Sequence, residues 1–330
     1  MPTFLATLTP MITMFLCIAI GYALRKTNIL SQDSGKTVAK LVTWVFAPAL
    51  SFSTMAKSFT ASSLSTHALN IGFSCAIIAL SLGIAIPMSR LFAKNDLSER
   101  GIYKYALVFA NFGYMSDPII LEMFGDTALA YYKLFSLPAT IMVYAWGIGV
   151  LVPKNDNKSS FIKGIVNAPT IALFLGMIVG ITGLGQQMPA FMTSTLDSLK
   201  LCMGPAAMLL AGITVANYSV TRIITNKRVY IASALRLVVL PATLVAFALG
   251  AKAILNFLFG LEINNLILYL VFFYSAMPVG LNTIVFPEAY GGNSETGASM
   301  TLISSVFGVA TIPLLYTLME ALFGAFPVAF

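Results

Sequence analysis

Residues 110–120 read ANFGYMSDPII, and they sit inside one of the most apolar stretches of a 330-residue chain. YALVF leads into them and LEMF follows. An Asp-Pro step with Asn and Gly just upstream normally ends a helix. Proline brings no N–H and crowds the residue before it, and Gly and Asn tolerate turn conformations. Either this run is no membrane span, or it is a span with an interruption built into it.

Composition decides that the run is membrane-embedded. Hydrophobic residues make up 58% of the chain and charged residues 9%, with a mean hydropathy of +0.88. A water-soluble domain carries about 25% charged residues, so most of this surface cannot face water. Within lipid every backbone polar group needs an internal partner, and the long apolar runs predict an all-α integral membrane protein. Cys17, Cys75 and Cys202 lie far apart in apolar runs, odd in number and without CxxC spacing. They indicate neither a disulfide framework nor a zinc site, and no metal or cofactor is expected. His67, at the start of a span, reads as a solvated interfacial residue.

At about 20 apolar residues per crossing, ten spans are predicted: 4–24, 38–56, 67–89, 102–123, 127–152, 165–183, 194–216, 229–258, 264–286 and 295–323. The first is read as a span and not a cleaved leader, because it lacks a basic start and is stopped by Arg25-Lys26. With the N-terminus outside, four cytoplasmic loops hold Arg25, Lys26, Lys36 and Lys40; Arg90, Lys94, Arg100 and Lys104; Lys154, Lys158 and Lys163; and Arg222, Lys227 and Arg228. That is fourteen of the 19 Lys and Arg. Lys57, Lys133, Lys200 and Lys252 fall toward the outer side, so the positive-inside rule places both termini outside a plasma membrane, the inner membrane of a bacterium. The net charge of +7 is thereby read as loop charge and not as a nucleic-acid surface.

The polar stretch KNDNKSSFIK (154–163) divides the spans five and five. The expected organisation is a first repeat at 1–153, a linker at 154–164 and a second repeat at 165–330. With an odd number of spans per half, homologous halves must be inverted relative to each other. Two pairs of matches support a repeat. KLVTWVFAPALSF (40–52) pairs with DSLKLCMGPAAML (197–209), and LEMFGD (121–126) with PEAYGG (287–292).

The fourth span then has a partner for its interruption, SAMPVGLNT (275–283) in the ninth. Irregular backbone survives at membrane depth only against protein or a cavity. Two broken helices at matching positions point to a binding site near the midplane. The candidate substrate-binding residues are Asn111, Gly113, Ser116, Asp117, Pro118, Pro278, Gly280 and Asn282. Asp117 has three readings: a helix cap before Pro118, a titrating group that couples a proton, or a cation ligand. Pro48 and Pro205 read as kinks or cavity lining. Arg236, inside the eighth span, reads as snorkelling to the inner surface, or as a counter-ion for an acidic substrate. Glu122, Glu288 and Glu295 read as solvated span ends.

GYALRKTNILSQDSGKTVAKLVTWVFAPALSF (21–52), ANFGYMSDPIILEMFG (110–125) and SAMPVGLNTIVFPEAYGGNSETGASMTLISSVFGVATIPLL (275–315) together resemble the auxin efflux carrier family. That family stands within the bile, arsenite and riboflavin transporter superfamily, and the short middle loop is similar to its prokaryotic members. The resemblance implies ten helices in a crossed inverted repeat, with a scaffold domain and a transport domain. It also implies secondary transport of small organic acids such as malonate, malate or related carboxylates. By motif position Asn111 and Pro118 carry over to the fourth-span crossing, and Pro278 and Gly280 to the ninth. Asn282 has no matched counterpart, and Asp117 departs from the hydrophobic residue expected before that proline. A coupling proton or sodium ion and a homodimer are compatible with this reading. A channel would want repeated carbonyl-rich loops. An intramembrane protease would want HExxH or an aspartate dyad, and the sequence carries neither pattern.

Overall fold

The protein is seen in a computed structural model that describes residues 2–60, 64–152, 166–290 and 292–326. Among the described residues the structure is helical without a strand, and one isolated antiparallel bridge joins Ala110 to Val279. The helices in chain order are α1 (Pro2–Lys26), α2 (Ser34–Ser58), α3 (Leu64–Phe92), α4 (Leu97–Val108) and α5 (Phe112–Leu151). After them come α6 (Ala168–Ile181), α7 (Ala190–Val215), α8 (Val220–Thr225), α9 (Lys227–Phe259), α10 (Leu266–Ser275), α11 (Asn282–Tyr290) and α12 (Ser294–Phe323). The linker at 154–164, with Lys154, Lys158 and Lys163, lies outside the described residues, as do the side chains of His67, Arg222 and Glu288.

By length and apolarity, seven helices among the described residues could cross a membrane: α1, α2, α3, α5, α7, α9 and α12. Six of these fall within a few residues of single predicted spans. The predicted fourth and ninth spans do not run as continuous helices. The fourth is divided between α4 and the start of α5, and the ninth between α10 and α11.

The forty-residue α5 is not straight. Gly125 sits in it at φ 79° and ψ −173°, a conformation open to glycine and strained for other residues. Lys133 and Asp117, sixteen residues apart, nevertheless form an ion pair, and the Tyr132 hydroxyl donates to the Phe112 carbonyl at 3.3 Å. In a straight helix sixteen residues span about 24 Å, so α5 must double back at Gly125 as two antiparallel limbs. Gly125 lies midway between Asp117 and Lys133, which sets the two side chains opposite each other.

Packing falls into two groups, joined where α1 lies along α12. In the first, α1 lies along α7 and α2 along α6, and small residues let the backbones touch. A β-carbon on Gly212 would meet the Ile18 carbonyl at 1.9 Å, and one on Gly180 would meet the Met55 carbonyl at 2.6 Å. Without water to drive helices together in lipid, such close dispersion contact is what holds them. In the second group α3, both limbs of α5, α9, α10, α11 and α12 enclose the two helix interruptions. Large apolar side chains stay exposed along α1 (Leu5, Ile12, Leu16, Ile20) and α9 (Ile231, Val238, Phe247, Ile254). That outward apolar belt suits lipid and not water.

Candidate functional site

The two interruptions meet. α4 ends as Phe109 turns extended, at φ −111° and ψ 118°, and Ala110 then bridges to Val279. The Asn111 N–H donates to the Pro278 carbonyl at 2.8 Å, and the Val279 N–H donates to Ser304 Oγ on α12 at 3.0 Å. Backbone groups released by each break thus find partners at the other break or on α12, the condition for irregular chain in an apolar interior. Gly280 allows the approach, since a β-carbon there would stand 3.2 Å from the Ala110 carbonyl.

Asp117 begins the first limb of α5 in helical geometry, at φ −55° and ψ −54°, and makes no cap bond. The capping role is therefore not how the structure uses it. Its carboxylate is 1% exposed; Oδ2 accepts from Lys133 Nζ, and Oδ1 has no hydrogen-bond partner. The Lys133 side chain is 12% exposed. A cavity of about 120 Å³ opens beside the pair. A single water needs about 10–15 Å³ by this kind of measure, so several waters or one small organic solute fit. Its lining includes Asn111, Gly113, Asp117, Lys133, Gly280 and Asn282, and also Thr43, Thr140, Tyr144 and Asn167. Asn111 Oδ1 is buried without a partner, and Asn282 donates to the Tyr105 hydroxyl at 3.0 Å.

Five of the eight candidate residues thus line one cavity: Asn111, Gly113, Asp117, Gly280 and Asn282. The other three stand behind it. Ser116 donates to the Phe273 carbonyl at 2.9 Å, Pro118 packs against Gly204, and the Pro278 ring packs against Gly308. Neither Pro48 nor Pro205 lines the cavity; Ala47 and Met203 do. Glu122 is exposed and Glu295 half-buried.

The structure adds to the sequence reading of two cations. Lys133, for which the sequence showed no partner, is brought against Asp117 by the fold at Gly125. Its signal was a lysine within the apolar run ALAYYKLFSLP (128–138), and only the fold-back reveals its partner. Arg236 does not snorkel to the surface: it is 1% exposed, and its Nε and Nη2 atoms lack hydrogen-bond partners. It lies within electrostatic reach of the Tyr132 and Tyr274 hydroxyls, and the Tyr274 ring packs 5.7 Å from Phe112.

A second charged cluster ties α2 and α7 to the turn of α5. Lys57 contacts Asp197 at 2.7 Å, and Lys200 contacts Asp126 at 2.9 Å and Asp197 at 3.3 Å. Thr54 donates to Asp126 and Ser53 to Asp197, at 3.3 and 3.2 Å.

Fold and cavity together define a multi-pass membrane protein with a polar chamber between interrupted helices. The family described as membrane transport protein, that of the auxin efflux carriers, matches residues 6–160 and 153–316, and the chain belongs to it. The chain is also 24% identical over 306 residues to an uncharacterized transporter of Methanocaldococcus jannaschii, covering 90% of this chain and 94% of that protein.

Proposed function

We propose that this protein is a secondary transporter that moves small organic acid anions, such as malonate, malate or related carboxylates, across the plasma membrane by alternating access. The observation that carries the reading is the cavity set on the meeting point of the two helix breaks, with Lys133 and three asparagines, Asn111, Asn167 and Asn282, in its lining. Amide donors and a cation are the groups that bind a carboxylate.

The chain crosses the membrane ten times as an inverted five-plus-five repeat, 1–153 and 165–330, with both termini outside. Spans four and nine are the broken, crossing pair. The first packing group of α1, α2, α6 and α7 is the scaffold, and the second group carries the site. In this orientation Thr43, Tyr144 and Asn167 lie toward the cytoplasm, and the Lys57–Asp197–Lys200–Asp126 cluster lies at the outer face. The cavity then opens inward while ion pairs close the outer side. A carboxylate among the lining residues also favours a second reading, in which Asp117 accepts a coupling proton or sodium ion.

Transport by purified protein in liposomes tests the proposal. Labelled mono- and dicarboxylates are offered with and without a proton or sodium gradient, to wild type and to Asp117→Asn. Saturable uptake of a carboxylate supports it; unitary channel conductance, or no uptake of any acid under any gradient, overturns it. Loss of gradient dependence alone in Asp117→Asn supports ion coupling at that residue.

A further inference from the structure

Among the described residues, four charged side chains are buried or nearly so: Asp117, Lys133, Lys200 and Arg236. Lys200 belongs to the outer cluster, where two lysines balance two aspartates. The remaining three belong to the packing group that holds the cavity. Lys133 and Asp117 sum to zero whichever of them holds the shared proton. Arg236 does not lose its proton in a protein interior, and no salt bridge joins it to a carboxylate among the described residues. On the same and neighbouring helices Lys252 binds Asn265 and Glu320 accepts from Tyr316, and neither forms a salt bridge with Arg236. Within electrostatic reach of Arg236 are the hydroxyls of Tyr132, on the second limb of α5, and Tyr274, on α10, and its Nε and Nη2 are buried without hydrogen-bond partners. Those two tyrosines link it to the crossing, because Tyr132 donates to the Phe112 carbonyl and Tyr274 packs on the Phe112 ring.

We propose that the cavity is matched to a solute carrying one negative charge, and that Arg236, behind the crossing, is the residue that sets this preference. The inference rests on the reading of the cavity as an anion transport site. A buried cation without a counter-charge is unfavourable, and a monoanion beside Lys133 brings the whole group to neutrality. A neutral solute leaves the surplus, and a dianion reverses it. Arg236 acts through the field and not by contact, so it is a specificity-determining residue and not a ligand. One consequence separates this role from a purely structural one. The loaded site is neutral and the empty site carries the extra charge, so the step in which the loaded carrier changes sides moves no charge through the membrane field, and the rate of monoanion exchange does not respond to potential.

The experiment is exchange in potassium-loaded liposomes, with membrane potential imposed by valinomycin, using labelled propionate, malonate and propionamide as probes. With wild type, propionate exchange is expected to be insensitive to potential, malonate dianion exchange to be sensitive, and propionamide to compete at least about tenfold more weakly. Arg236→Gln is expected to shrink that tenfold preference toward one and make propionate exchange potential-dependent; Arg236→Lys restores both. The proposal is overturned if wild-type propionate exchange already follows the potential, a test that needs no variant to fold. It is equally overturned if Arg236→Gln leaves both readouts unchanged. Should wild type carry none of these acids, the transport reading itself falls, a result distinct from either.

Discussion

Replacing Lys133 by Met leaves the Asp117 carboxylate buried with no cation beside it. Asp117 is 1% exposed and Oδ1 already lacks a partner, so loss of the Lys133 bond strips the carboxylate of its remaining charge-assisted contact. Breaking a buried pair from one side costs about 3–5 kcal/mol. With both groups replaced, as in Asp117→Asn with Lys133→Met, a neutral amide and a thioether remain, and the residual cost falls to about 1 kcal/mol. The double variant is therefore expected to be roughly 2–4 kcal/mol more stable than Lys133→Met alone, the mark of strongly non-additive changes. Thermal unfolding in detergent, followed by size-exclusion chromatography of the remaining monodisperse protein, measures it. At about 2 °C per kcal/mol for a chain of this length, Lys133→Met should lower the midpoint by roughly 6–10 °C, and the double variant should recover most of that loss. A drop below about 2 °C for the single variant, or additive losses in the double, would refute the claim that the pair is buried and coupled.

Gly180→Leu should separate α2 from α6, since even a β-carbon there meets the Met55 and Phe59 carbonyls at 2.6 Å. Overpacking of about 1–3 kcal/mol or more is expected, visible as a lowered midpoint in the same assay. Ser304→Ala removes the acceptor of the Val279 N–H and should destabilise by about 1–3 kcal/mol, the cost of an unsatisfied buried donor; Ser304→Thr should retain most of the stability. Asp126→Asn weakens the Lys57–Asp197–Lys200–Asp126 cluster, which the proposed orientation sets at the outer face. In a background without the native cysteines it should speed labelling of Asn111→Cys by an impermeant thiol reagent from outside by about fivefold, near 1 kcal/mol. Unchanged labelling would show that the cluster does not close the outer side.

Much of the helical layout was legible in the sequence because twenty-residue apolar runs leave the backbone few alternatives in lipid. The interruptions at 109–111 and 276–281 were legible too, since Asn, Gly and Pro clustered within a few residues disfavour a continuous helix. Local chemistry placed Asn111 and Asn282 at those breaks, but it could not tell that both line one cavity; that depends on the bridge between Ala110 and Val279, 169 positions later. The partner of Lys133 was hidden for a related reason. Charge counting places a lysine by its distance from a span end, whereas its pairing with Asp117 follows from the backbone angle at Gly125. Arg236 was misread because snorkelling is the cheaper option for an isolated helix, and only the packing of α9 against α10 and α12 closes that route.

The turn at Gly125 joins its two limbs without an intervening loop, so Asp117 and Lys133 belong to one rigid hairpin. Under the proposed alternating access, a solute arriving from either compartment would meet the same ion pair. A difference in affinity between the two faces of the membrane would then come from polar side chains of the other packing group that border the cavity, Thr43 and Asn167. A carrier built this way has no preferred direction written into its seat: gradients choose the flow, and substitutions at Thr43 or Asn167 are where a rectifying variant would be found.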